Sequence, residues 1–107
     1  MTAPEYLKLA MKKRKMRNVD VLNEMNKRHM GTNGIDINRF HISAILNGGR
    51  QLSPYMARKF EIVLGLEKYS VVSMVGFPKG EKSMQILKDI DKFEDVEGLK
   101  AGIWKND

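Results

Sequence analysis

Five cations crowd one short stretch of this chain: Lys12, Lys13, Arg14, Lys15 and Arg17. A run of that density attracts polyanions, because each neutralised phosphate releases a condensed counterion whatever the base sequence. The same run also suits a solvated helix face. A second stretch combines a forked donor, an aromatic ring, a hydroxyl and an amide in Arg39, Phe40, Ser43, Ala44 and Asn47. Of these, Arg39, Ser43 and Asn47 share one exposed strip, which suits a helix presented to base edges in the major groove. Other chemistry is poorly provided for. Cysteine is absent, which excludes disulfides, thiolate metal sites and thiol nucleophiles together. His29 and His41 are the sole imidazoles, too few for a His-rich metal site. The first reads as a surface residue and the second as a partly buried helix residue. Asp89 and Asp91 stand two apart on a helical pattern and point away from each other. Asp95 and Glu97 have no histidine nearby, and Gly76 and Gly80 bracket three residues without the spacing of a phosphate-binding loop. These patterns provide no catalytic residue, no cofactor site and no metal site.

The charge is unevenly spread. The 107 residues carry a formal net charge of +6. Residues 1–79 hold 14 Lys/Arg against 6 Asp/Glu, whereas residues 80–107 hold 5 against 7. The first part is a basic unit and the second a mildly acidic tail with a different task. With 42% hydrophobic and 30% charged residues, the composition is that of a folded protein. No apolar run nears the ~18 residues that span a bilayer. In MTAPEYLKLAMKKRK the charge follows the apolar residues, the reverse of a secretory signal. A cytoplasmic location without membrane attachment is expected.

The elements that must position these residues are helical. Pro4 suits a first turn, and Leu7, Ala10 and Met11 repeat at helical spacing, predicting a helix over 4–16. Asn18 is a suitable cap for a second helix, whose inner stripe is Val21, Leu22 and Met25. Gly31, Asn33 and Gly34 break it. Asn38 caps a short third helix with Ile42, Ile45 and Leu46 inside, ended by Gly48-Gly49. Ser53-Pro54 starts a fourth, with Met56, Ala57, Phe60, Val63 and Leu64 inward and Gly65 at its end. The segment 66–75 favours extended backbone locally but has no strand to pair with, so a short fifth helix is expected. Phe77 to Gly80 reads as a linker, and Met84, Ile86, Leu87, Ile90 and Phe93 mark a helix over 82–94. The eight methionines read as adaptable packing.

Within that frame, residues 38–54, NRFHISAILNGGRQLSP, resemble the recognition helix and following turn of lambda-repressor/Cro-like (XRE-type) helix-turn-helix proteins. Ile42-Ser43, Ile45, Gly48 and Arg50 fit the pattern of that family, and Leu7, Ala10, Met16, Val21, Leu22 and Met25 occupy its usual core slots. The resemblance covers residues 5–75 and stops short of the tail. It implies that Arg39 and Phe40 touch bases, with Ser43 and Ala44 on the same groove-facing side. It also implies that Asn47, Arg50 and Asn18 hold phosphates. The turn Met30 to Ile37 is longer than that of the family. Phe40 is bulky where the family favours Ser or Gln; contact with thymine methyl groups and packing against the second helix both remain open.

Together these readings give an all-α expectation: a lambda-repressor-like five-helix domain over 1–79 and a C-terminal helical tail over 80–107. The expected function is sequence-specific binding of double-stranded DNA by a transcriptional regulator, of the kind carried by phages or mobile elements. Lys12, Lys13, Arg14, Lys15, Arg17, Asn18, Asn47 and Arg50 grip phosphates, and Arg39, Phe40, Ser43 and Ala44 face bases. One short helix reads few base pairs, so a homodimer on paired half-sites is expected. Leu87, Ile90 and Phe93 are the candidate dimer contacts. Trp104 either anchors a partner or folds back. The alternative is a protein acting through a protein partner bound by the tail, such as an antitoxin or an anti-CRISPR inhibitor.

Overall fold

The computed structural model describes residues 1–28, 30–31, 35–76 and 81–91. Among the described residues the elements are five α-helices and one short 3-10 turn: α1 (Ala3–Lys13), α2 (Asn18–Lys27), α3 (Arg39–Leu46), α4 (Pro54–Leu64), the turn Val72–Met74 and α5 (Glu81–Asp91). The fold of the described residues is all-α. No helix among them is long and apolar enough to cross a membrane.

Helix starts follow local chemistry. The Thr2 hydroxyl accepts from the Glu5 N–H at 3.3 Å, Asn38 Oδ1 from the Phe40 N–H at 2.7 Å, and Ser53 Oγ from the Met56 N–H at 3.1 Å. Each satisfies a backbone donor that the first turn leaves without a carbonyl. At α2 the expectation is corrected. Asn18 is the first helical residue, and Arg17 is the cap, its N–H donating to Asp20 Oδ2 at 2.8 Å. The first helix also ends earlier than expected. Lys15 turns left-handed at φ 55°, and the Met16 N–H reaches back to the Met11 carbonyl at 2.9 Å. Gly48 (φ 77°) serves the same purpose after α3, where the Gly49 N–H donates to the Ala44 carbonyl at 2.8 Å.

The predicted stripes meet in one core. Leu7, Ala10 and Met11 of α1, Val21 and Met25 of α2, Ile42, Ile45 and Leu46 of α3, and Met56, Ala57, Phe60 and Leu64 of α4 are all buried. Met30, absent from every predicted stripe, is buried with them. Helices α1 and α2 pack on both α3 and α4.

The segment 66–75 departs from expectation, and α4 supplies the reason. The Glu61 side chain is wholly buried. Its Oε1 accepts from the Tyr69 N–H at 2.9 Å and from Arg58 Nη1 at 3.1 Å, while Oε2 accepts from the N–H groups of Val71 and Val72 at 2.7 and 2.8 Å. The chain wraps around this carboxylate, which takes N–H groups that a helix would pair internally. Only Val72–Met74 closes a 3-10 turn, and Val71 and Val72 are pressed into the core.

Helix α5 packs on α4. The Tyr55 hydroxyl donates to Asp89 Oδ2 at 2.8 Å, and burial together with that carboxylate pushes its pKa up to about 12. Ile90, expected at a dimer contact, is instead fully buried in the chain's own core, because the Asp89 contact fixes which side of α5 faces α4. Phe93, Trp104, the linker 77–80, His29 and the predicted helix end at Glu94 lie outside the described residues.

Three expected outcomes follow from this packing. Glu61→Ala leaves three backbone N–H groups and a buried guanidinium without their acceptor, and is expected to cost roughly 3–5 kcal/mol in urea unfolding. Lys15→Gly relieves a left-handed backbone and is expected to stabilise by about 1 kcal/mol in the same assay. Lys59 is fully buried on α4, and burial pulls its pKa from 10.5 down to about 7. Between those values the unfolded chain holds the extra proton, so stability rises with pH. Above pH 10 Tyr55, protonated up to about 12 in the folded chain, acts in the opposite direction. Unfolding midpoints are therefore expected to climb from about pH 7 to pH 10, and Lys59→Met to flatten that climb.

Candidate nucleic-acid interface

Helix α3 has one face in the core and one in solvent. With Ile42, Ile45 and Leu46 turned inward, Arg39, Phe40 and Asn47 are exposed and Ser43 and Ala44 half-buried. Positions 40, 43, 44 and 47 recur at the three- and four-residue spacing of a single helix face. Phe40 is 67% exposed, so it does not pack against α2. Its ring lies under the Arg39 guanidinium, 4.9 Å from the guanidinium carbon to the ring centre. Two exposed side chains at the start of α3 thus form one unit, with a flat cation above an aromatic face.

Two devices hold that face in place. Asn26 clamps the chain entering α3: its Nδ2 donates to the Ile37 carbonyl at 3.1 Å, and its Oδ1 accepts from the Ile37 N–H at 2.7 Å. The long turn after α2 therefore does not leave α3 loosely placed. The head of α2 lies beside the middle of α3, where Asn18 Nδ2 approaches Ser43 Oγ at 3.5 Å. Asn26 was not singled out from the sequence. An isolated asparagine on a helix carries no local sign that its partner lies eleven residues ahead.

The expected phosphate contacts divide into groups. Lys12, Lys13, Arg14, Lys15, Arg17, Asn18, Asn47 and Arg50 are all exposed. Arg17 is engaged by Asp20, with Nε–Oδ2 at 3.2 Å and Nη2–Oδ1 at 3.3 Å. Hydrogen bonding and charge from Arg17 lower the Asp20 pKa. The net attraction of Arg17 for an anion is correspondingly reduced by the paired carboxylate. Arg14 turns one nitrogen back onto the Ala10 carbonyl at 3.1 Å. Lys13 and Arg14 line a hollow of about 400 Å³ with Tyr6, Leu9 and Leu66.

Asn47 and Arg50 line a different, open cleft of about 730 Å³, together with Lys8 and the first turn of α1. Lys8 is exposed and belongs to this group, although it stands apart from the basic run. Its position one helical turn before Lys12 was the available signal. His41 sits half-buried nearby, its pKa lowered by burial and by the charges of Arg50 and Lys59. Ala44 contributes mainly through its carbonyl, which accepts from Gly49 and Arg50 as α3 ends.

Of the expected tail contacts, Leu87 is 37% exposed, with Met84 exposed one turn before it. Among the described residues no group of acidic, histidine or cysteine side chains could hold a metal ion. Comparison with protein-family models, with curated proteins and with solved structures finds no match to this chain.

Proposed function

We propose that this chain is a sequence-specific double-stranded DNA-binding regulator of the lambda-repressor/Cro type, with α3 as the recognition helix in the major groove. The observation that carries the reading is the outward strip of α3. A short helix buries one apolar face and turns Arg39, Phe40 and Asn47 toward solvent, with Ser43 half-buried on the same face where the head of α2 meets it. An α-helix fits the major groove, and arginine reads guanine there through O6 and N7. The exposed cations of α1, of the turn after it and of the turn after α3 supply sequence-independent attraction to phosphates. A regulator of this kind gains specificity by pairing two copies on two half-sites.

A second reading rests on α5. Met84 and Leu87 stay exposed one turn apart while Ile90 faces inward. Such a pair suits a protein partner, the mode of an antitoxin or an anti-CRISPR inhibitor, as well as a second copy of the chain.

Selection of bound sequences from a random duplex pool at fixed salt separates the two. Recovery of a defined sequence is expected, and a chain that retains no duplex at moderate salt overturns the DNA reading in favour of the protein partner. With the selected duplex, Arg39→Ala is expected to lose about 1–3 kcal/mol of discrimination between that sequence and random DNA. Lys13→Ala is expected to weaken both about equally and to reduce the salt slope by about one. Equal effects of Arg39→Ala on both duplexes would remove Arg39 from the base-reading role.

A further inference from the structure

We infer that Arg39 and Phe40 act as a single composite reader of a 5-methylpyrimidine immediately next to a guanine. The inference rests on the proposed reading of α3 as a major-groove helix and names what that helix recognises at one step.

Three observations carry it. Phe40 is 67% exposed, the most exposed large apolar side chain of the described helices. The Arg39 guanidinium lies over its ring at 4.9 Å. The start of the helix is fixed by Asn38, whose side chain accepts the Phe40 N–H itself at 2.7 Å. An exposed aromatic covered in part by a guanidinium, on a chain of net charge +6, fits no purely apolar partner. It fits a surface that is anionic at its rims and carries an apolar group at its centre. The major groove is such a surface, with phosphates along both walls and the pyrimidine C5-methyl group as its one apolar feature.

The chemistry of the two side chains is complementary to two adjacent bases. An arginine that pairs with guanine O6 and N7 lies in the plane of that base, with its two flat faces free. In this structure the Arg39 guanidinium carbon already lies 4.9 Å from the centre of the Phe40 ring, a contact that restrains the side chain before any ligand arrives. The ring edge beyond the guanidinium is left to meet whatever projects from the neighbouring base pair. Of the groups presented there, a pyrimidine methyl gains most from an aromatic ring: it offers more apolar area than a cytosine C5–H, and the donors and acceptors beside it would be stripped of water. Thymine and 5-methylcytosine both supply that methyl, so the shared chemistry is the methyl group beside the guanine.

The test uses the full chain and the duplex selected from the random pool. Replacing the thymine next to the contacted guanine by deoxyuridine removes the methyl and leaves every hydrogen bond in place. Wild type is expected to bind the deoxyuridine duplex about fourfold more weakly, the factor equivalent to roughly 0.8 kcal/mol for one buried carbon group. Phe40→Ala is expected to bind the two duplexes equally. Phe40 is exposed, so this variant keeps the fold, which circular dichroism checks. In a second arm the thymine·adenine pair becomes cytosine·guanine, with and without the 5-methyl group. A methyl effect there in wild type, absent from Phe40→Ala, supports the inference and extends it to methylated DNA. A methyl effect confined to thymine supports it and identifies thymine as the source.

No methyl effect in either arm overturns the inference, as does a methyl effect that persists in Phe40→Ala. A selected sequence with no methylpyrimidine beside a guanine overturns it as well, while the DNA reading stands. Failure to select any sequence overturns the DNA reading itself.

Discussion

A carboxylate sealed from water survives only where donors replace its hydration, and Glu61 meets that condition with three backbone N–H groups and one guanidinium. The stability of such a site is not its main contribution, since a well-packed apolar replacement of a buried ion pair is often neutral or better. Its contribution is direction. Two valines can slide along an apolar surface at little cost, but N–H groups aimed at two oxygen atoms cannot. Glu61 thereby selects one path for residues 69–72 and presses Val71 and Val72 into the core, with the turn Val72–Met74 packed on α4. Helix α4, which carries Glu61, also touches α1, α2 and α5. The remaining packing is referred to this helix.

The consequence reaches α3 through the core it shares with α2 and α4. Its inner residues are fixed by packing, its entry by the Asn26 clamp and the Asn38 cap, and its exit by the left-handed turn at Gly48. A helix held at both ends and along one side has no freedom to turn its outer strip away from solvent. Phe40 is exposed by that constraint. An aromatic ring left mostly in water forgoes stabilisation of about 1.5–3 kcal/mol that burial would give, and the Arg39 guanidinium covers only part of it.

What could be read from the sequence was whatever local chemistry decides. Asn38 and Ser53 announce α3 and α4 because a cap acts on residues two or three positions ahead, and the inner stripes follow from helical periodicity alone. Where a distant group decides, the residues themselves gave no sign. The segment 66–75 carries no mark of the buried carboxylate that bends it. Ile90 belongs to two apolar spacings on α5, with Ile86 and with Leu87, and only the Tyr55–Asp89 contact determines which spacing faces α4. The site divides along the same line. Arg39 and Phe40 stand out by type and position. Lys8 joins Asn47 and Arg50 only because the first turn of α1 folds against the turn after α3.

Dimensions tie the proposed reading together. Eight helical residues rise about 12 Å, close to the width of a B-form major groove. A helix of that length spans the floor and brings its ends near the two phosphate walls. The exit end is well provided, with Arg50 and Lys8 bordering one cleft. On the α2 side the provision is weaker, because Arg17 is shared with Asp20 and the neutral amide of Asn18 takes the position nearest α3. Unequal grips on the two walls favour one docked orientation over its reverse, since only one orientation sets the stronger cations against a given strand. On the proposed reading, an orientation fixed by phosphates sets the first turn of α3 against a defined base step. Arg39 and Phe40 of that first turn are then, on the same reading, the first of the strip to meet the bases.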